Sequence, residues 1–341
     1  MKLISHTLLL LFVAWLGIAY DGYGQVGGRQ GFGFLQIPAT ARTAALGGVV
    51  ATSLDEDVNM FLTNPALLSE RLHLNVSFNY QAYLADMSYS SLAFAHHWEN
   101  AGTWGIGLQY MNYGEFVGYD EAGNEAADFR ASDYAFTIGH VHDVGAFSLG
   151  ANAKLTQSTI DSYMATAILL DIGGIYRHPE KGLMVGLLLK NLGVIVRDYH
   201  EHSHIRLPLD VQVGTSFKPE HMPVRFTFTL YNLAKDNIAY FDPEWNHNQG
   251  APGFVDKMFR HMAIGTEVLV SENVNLRAGY NHLIRKELKL EETSGMSGFS
   301  LGFLVKVKAF ELAYTKRFYH VAGGTDSFTL TSDLSRIIKS R

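Results

Sequence analysis

The chain has 341 residues, no cysteine and a formal net charge of −6. Those values exclude disulfide frameworks, thiolate chemistry and Cys-ligated zinc, and they offer no basic field for gripping nucleic acid. Charged residues are 18% and aromatics 12%, with 33 glycines, a balance that suits strands with an apolar outer face, small inner residues and many turns.

Lys2 and the apolar run from Leu8 to Leu16 read as the opening of an export signal, with Gly22 and Gly24 as the small residues a signal peptidase inspects. Residues 1–24 are therefore expected to be a signal peptide, cleaved to leave Gln25 first; the alternative is an uncleaved anchor. Beyond it no stretch reaches the ~18–20 apolar residues of a membrane helix. A mature chain that enters a membrane must then do so as a closed barrel, because lipid cannot satisfy an open sheet edge.

Residues 25–71 are too polar and too long for a simple lead-in, and are expected to fold back as a hatch or plug. Within them, Thr40 to Leu46 has room for one helical turn or two, ended by Gly47-Gly48. Asp55-Glu56-Asp57 carries the charge to hold a cation, yet its neighbours complete no oxygen cage, and the plainer reading is a solvated turn. In Asn64-Pro65-Ala66 the proline fixes its own φ and biases Asn64 away from helix, which predicts a rigid corner.

From about residue 72 to 341 the period changes to two. Leu74, Val76, Phe78 and Tyr80 alternate with Asn75, Ser77, Asn79 and Gln81, and the pattern returns in Trp104–Tyr110, Tyr134–Ile138, Phe147–Ala151, Val224–Leu230 and Phe299–Lys306. A soluble sandwich also alternates, so the connections decide more. Tight links are expected near 99–102, 142–145, 178–182, 218–222, 271–273 and 307–309. Longer ones are expected near 82–88, 117–128, 157–162, 195–205, 233–259, 284–297 and 318–326. Short and long links taking turns is the rhythm of an outer-membrane barrel, and a Greek-key sandwich has no reason to show it. The predicted fold is all-β: a transmembrane antiparallel up-and-down barrel of about fourteen strands, both ends in the periplasm, with an N-terminal hatch.

The Phe/Leu/Val/Tyr face is then assigned to lipid and the Gly/Ser/Thr/Asn/Gln face to the lumen. Lys154, Asp171, Lys190, Asp210, Arg225, Glu267 and Arg277 fall on the lumen side, where water or a partner can hold them. Leu304 breaks the rule on the inner face. His96 and His140 break it on the outer one, and are tolerable there only near the interface.

The order of several motifs resembles a known group. Asn64-Pro65-Ala66 is similar to the motif in the hatch of FadL-type long-chain fatty acid transporters, which are fourteen-stranded barrels. Ala41-Arg42-Thr43-Ala44-Ala45-Leu46-Gly47-Gly48, the acidic run, Lys190-Asn191-Leu192-Gly193, Leu207-Pro208-Leu209-Asp210 and Leu276-Arg277-Ala278-Gly279-Tyr280 look more like the FadL-related barrels of the type IX secretion system. The length, with Gly28-Arg29-Gln30-Gly31-Phe32-Gly33-Phe34-Leu35, looks more like that system's anchor barrel than its cargo shuttle. The resemblance implies a place in the cell-surface attachment complex with PorU, PorV and PorZ, holding PorZ at the outer membrane, in contact with its lipid, while cargo is joined to lipopolysaccharide. The ending Ile337-Ile338-Lys339-Ser340-Arg341 departs from the terminal aromatic residue of many outer-membrane barrels.

Candidate chemistry is thin. Among fifteen histidines, His200, His202 and His204 share one face if extended and have the spacing to grip a metal, although a solvated polar loop explains them as well. Gly295-Met296-Ser297-Gly298 is one residue short of a nucleophile elbow, and neither a Ser-x-x-Lys nor a phosphate loop occurs. The link 233–259 carries Tyr240, Phe241, Trp245 and Phe254 among Asp242, Glu244, Asn246 and Asn248, which predicts either a docking surface or a lid over the mouth. No catalytic, cofactor or metal residue is assigned, and the expected function is a non-enzymatic surface anchor. The alternatives are a channel for hydrophobic small molecules and a shuttle for secreted cargo.

Overall fold

A computed structural model describes residues 30–339 apart from 121, 202, 236–237, 239–251, 289–294 and 321–322. The expected signal peptide, and Tyr240, Phe241, Trp245 and His202, lie outside the described residues. None of the described helices is long and apolar enough to cross a membrane.

Fourteen antiparallel strands close into one barrel among the described residues: β1 (Asn75–Ala82), β2 (Ser88–Trp98), β3 (Gly102–Tyr119), β4 (Glu125–Val144), β5 (Phe147–Ile160), β6 (Tyr163–Arg177), β7 (Gly182–Arg197), β8 (Asp210–Lys218), β9 (Val224–Leu230), β10 (Met262–Leu269), β11 (Val274–Asn281), β12 (Phe299–Val307), β13 (Phe310–His320) and β14 (Gly323–Asp333). Each pairs with its sequence neighbours, and β1 closes on β14 from Asn75↔Asp333 to Ala82↔Asp326. Both ends of the barrel chain therefore lie on the side of the six tight turns. Among the described residues four short α-helices accompany the strands, besides single 3₁₀ turns: α1 (Ala41–Ala45), α2 (Phe254–Arg260), α3 (His282–Leu288) and α4 (Leu334–Lys339).

The six tight links stand where the sequence places them. Three of the long ones shrink. The link expected at 157–162 is only 161–162, with Asp161 at φ 53 closing the turn, and the one expected at 318–326 leaves just 321–322 between strands. That at 117–128 shortens to 120–124, because β3 and β4 stay paired to Tyr119↔Glu125. The causes differ. The outer ends of β3 and β4 are exposed on both faces and lose the period-two signature. Near 157–160 and 323–326 the inward Ser158 and Thr325 are buried, and it is the polar or small outward residues Gln157, Thr159, Gly324 and Asp326 that read as loop.

Alternation sorts the side chains as expected. Phe78, Leu108, Leu276, Leu301 and Phe328 point outward, exposed, while Ser77, Asn79, Thr137 and Asn152 are buried inside. An outer wall of Phe, Leu, Ile and Val is stable only against hydrocarbon. His96 and His140 lie near the tight-turn ends, His96 against Trp98 (4.3 Å) and His73 (4.6 Å), His140 against Trp104 (4.6 Å). That is an aromatic girdle, where an imidazole costs little. Leu304 points inward and packs on Ala41 and Ala313, so its exception is explained by what fills the lumen.

Strand length is uneven around the ring. β9 to β12 have seven, eight, eight and nine residues, whereas β3 and β4 have 18 and 20. A tilted strand needs ~9–11 residues to cross hydrocarbon, so one side of the barrel ends at the membrane surface and the other stands well above it.

Candidate functional site: the hatch and its wall

Residues 31–72 fold into the barrel and supply half of the buried apolar residues among those described. Phe32, Phe34 and Leu35 fill the outer half of the lumen with Tyr89 and Met111, flanked by Tyr83, Tyr113, Tyr199 and Ile205. The Gly31 amide donates to the Arg206 carbonyl (3.0 Å), tying this start to the β7–β8 link.

α1 forms as expected. Thr40 caps it, its Oγ1 accepting from the Thr43 amide (3.0 Å), and Gly47 and Gly48 end it at φ 89 and 90. Five residues make too short a helix to satisfy its own ends, and the wall completes them. Thr329 Oγ1 accepts from the Ala41 amide (2.9 Å), Ser300 donates to the Ala45 carbonyl (2.8 Å), and Asn281 Nδ2 donates to the Gly47 carbonyl (3.0 Å). The wall at Gly279 must be bare: a Cβ there would stand 2.3 Å from both Ala45 O and Gly47 N.

Asn64-Pro65-Ala66 is a corner, as its proline requires. Asn64 accepts from the Ala66 amide (3.1 Å) and donates through Nδ2 to the Ala51 carbonyl (2.9 Å), opening a single 3₁₀ turn over Pro65–Leu67. It seats in a notch of wall glycines, where a Cβ on Gly173 would meet Asn64 Oδ1 at 1.9 Å and one on Gly150 would meet the Pro65 backbone at 2.4 Å.

The acidic run departs from expectation: it is neither a solvated turn nor a cation cage. Arg42 from α1 contacts Asp55 and lies 3.3 Å from Glu267 of β10. Arg225 of β9 reaches Asp55 at 2.7 Å and Glu267 at 3.1 Å, and Arg277 of β11 reaches Glu267 at 2.8 Å. Asp57 completes the group 3.9 Å from Arg42 and caps the next turn through the Asn59 amide (3.0 Å). Three guanidiniums and three carboxylates thus balance across the boundary between hatch and wall. Burial alone would push the Asp55 carboxyl up; the Arg42 and Arg225 guanidiniums overturn that and hold it well below the usual carboxylate range.

A second buried pair stands farther round the wall, on β5 to β7. Lys154 Nζ lies 2.5 Å from Asp171 and donates to Asn191 Oδ1 (3.2 Å), while the Asn191 amide donates to Asp171 (2.8 Å). Asn191, at φ 60, also donates through Nδ2 to the Pro208 carbonyl (3.0 Å), and Lys190 faces Asp210 across the β7–β8 ladder. The motifs at 190–193 and 207–210 are one local structure.

The hatch separates two cavities. One of about 210 Å³ opens on the outer side between Gln36, Ile37, Val50, Lys190, Asp210, Ile284 and Arg317; another of about 360 Å³ opens toward the tight turns between Asp55, Glu56, Arg71, Lys306, Glu311 and Asp333. His200 and His204 line a shallow outer depression with Asp198 and Glu201. Among the described residues no group of three potential ligands is assembled for a metal.

The lumen-facing halves of the ion cluster, Arg225, Glu267 and Arg277, are legible in the strand alternation. Arg42 is not, since one arginine in an alanine-rich turn carries no sign of its partner.

No protein-family model matches the chain, and no curated protein matches it in sequence. Among solved structures, the Ralstonia pickettii toluene transporter TbuX aligns at TM-score 0.51 and 12% identity, covering 90% of this chain and 98% of that one. A deletion mutant of the monoaromatic hydrocarbon channel TodX aligns at TM-score 0.51 and 11% identity, covering 86% and 97%. These likenesses establish a shared fold.

Proposed function

We propose that this chain is a non-enzymatic outer-membrane barrel that anchors a partner at the cell surface, in the manner of PorQ, the barrel that holds PorZ beside PorU and PorV in the type IX attachment complex. One observation carries the reading. The outer ends of β3 and β4 leave their neighbours behind, since β2 pairs with β3 only as far as Asn112 and β5 with β4 only from Ala131. The rest, Glu115–Tyr119 against Glu125–Arg130, is a free two-stranded ribbon with Phe116, Val117 and Tyr119 exposed. A ribbon of two strands is marginal in water by itself, and its bare edges and aromatic side chains are what a docking protein covers. Deleting the gene should shed the PorZ-like partner from intact cells into the medium; continued attachment would end the proposal. Capture of secreted C-terminal signal domains by the purified barrel would instead favour the shuttle role.

A transport reading has its own support in the shared fold and in the outer cavity, where Ile37, Val50 and Ile284 offer apolar walls. It requires that a hydrophobic small molecule co-purify with the barrel, and that substitutions in the hatch change uptake.

A further inference from the structure

We propose that α2 is an interfacial helix that seats the short side of the barrel in the lipid of the outer leaflet. The inference rests on the barrel spanning a membrane and is independent of any protein partner.

Height comes first. β9 and β10, which flank the link carrying α2, have seven and eight residues, no more than the ~9–11 a tilted strand needs to cross hydrocarbon. The helix ends at Arg260 and β10 begins at Met262, so α2 stands at the level of the bilayer surface.

Its side of the wall follows from a chain of contacts. Tyr280 of β11 points to the lipid face and packs on outward-facing Phe299, ring centres 4.9 Å apart. The His282 ring bridges Tyr280 Oη (2.9 Å) and Asp256 Oδ1 (3.0 Å). Asp256 also accepts from Arg260 Nε (2.8 Å) and lies 3.4 Å from Lys286. The polar side of α2 is thereby pinned above the lipid-facing edge of the wall.

The other side is apolar and bare. Phe254, Val255 and Met258 are 82%, 60% and 51% exposed, and Phe259 continues the stripe. Positions i, i+1, i+4 and i+5 share one helical face, and an apolar face opposite a basic and polar one, at membrane height, describes a helix lying in the interface. Continuity with the lipid-facing surface at Tyr280 and Phe299 selects lipid over a soluble protein as the occupant, and Lys257 and Lys286 add attraction for anionic headgroups.

The absence of cysteine makes the test clean. Single variants Phe254→Cys, Met258→Cys, Lys257→Cys and Leu276→Cys, each in the full barrel, are labelled with a nitroxide and reconstituted in vesicles of phosphatidylethanolamine and phosphatidylglycerol. Collision with oxygen is compared with collision with a water-soluble nickel chelate. Positions 254 and 258 should favour oxygen as the wall position 276 does, and position 257 should favour nickel. Nickel-dominated collision at 254 and 258 would show a solvated helix and overturn the proposal; protection from both probes would show a protein cover and overturn it equally. Nickel-dominated collision at 276 would remove the membrane reading itself, and the proposal with it.

Discussion

Arg225 Nη1 stands 2.7 Å from the Asp55 carboxylate, joining a wall strand to the hatch within a cluster that also holds Arg42, Asp57, Glu267 and Arg277. Removing one member leaves the others buried and unbalanced. Asp55→Asn should weaken hatch seating by on the order of 2–3 kcal/mol, below the ~3–5 of a fully buried pair because Asp55 keeps 25% exposure. Limited proteolysis in detergent should then cut residues 50–60 in the variant under conditions that spare the wild type. Equal resistance would show that packing alone seats the hatch.

The same cluster sets a pH window. The folded pKa of Asp55 lies below the ~3.9 of an unfolded aspartate. Its stabilisation is therefore complete above about pH 4 and drains away as the pH falls through the folded value. Hatch protection should be flat between pH 8 and 5 and decline only in stronger acid, with Asp55→Asn abolishing its share of that decline. Loss of protection near neutral pH would assign control to another group.

Lys154 and Asp171 invite a different experiment, since both are buried within one hydrogen-bonded unit with Asn191. Lys154→Met should destabilise the barrel by about 3–5 kcal/mol, because it strands the Asp171 charge; adding Asp171→Leu should recover much of the loss. Thermal unfolding followed by the heat-induced gel shift reads both. A double variant no better than the single would mean that the left-handed turn at Asn191, where the β6–β7 register shifts, needs the carboxylate itself.

The strand alternation, the even strand count and the six tight turns were legible because lipid outside and polar groups inside impose a period of two on every residue that crosses. The Asn64 corner and the Gly47-Gly48 stop were legible because proline and glycine carry their own backbone rules. What could not be read was anything that depends on two distant segments meeting. Leu304 breaks the pattern only because Ala41 packs on it, Gly173 is bare only because Asn64 occupies its space, and the acidic run looks solvated until Arg42 and Arg225 surround it. The outer halves of β3 and β4 misled for the opposite reason: beyond lipid, the alternation that marks a strand is no longer required.

Gly173 turns that dependence into a measurement. A methyl group at this position has no room, with Asn64 Oδ1 1.9 Å from the Cβ, and Asn64 can retreat only by giving up its cap on Ala66 and its bond to Ala51. Overpacking costs ~1–3 kcal/mol and a lost cap ~1 kcal/mol. Gly173→Ala should therefore destabilise the hatch by about 2–3 kcal/mol. The pair Gly173→Ala with Asn64→Ala should be less than additive, since the second change removes the clash created by the first. Strict additivity would place the two residues out of contact.

The ribbon formed by β3 and β4 offers the test closest to function. Phe116 and Phe129 stack across it at 5.2 Å, and Arg130 lies 3.3 Å from Glu115. The exposed ion pair contributes little, so the ring pair, at ~0.5–1.5 kcal/mol, supplies much of what orders a ribbon that is marginal alone. Replacing both rings by alanine should leave the barrel and its heat-induced gel shift intact while cutting partner retention at the surface several-fold. In intact cells, a single cysteine at Val117 should react with a membrane-impermeant maleimide when the partner is missing and be shielded when it is present. Labelling at equal rates in the two strains would place the docking surface elsewhere on the outer rim.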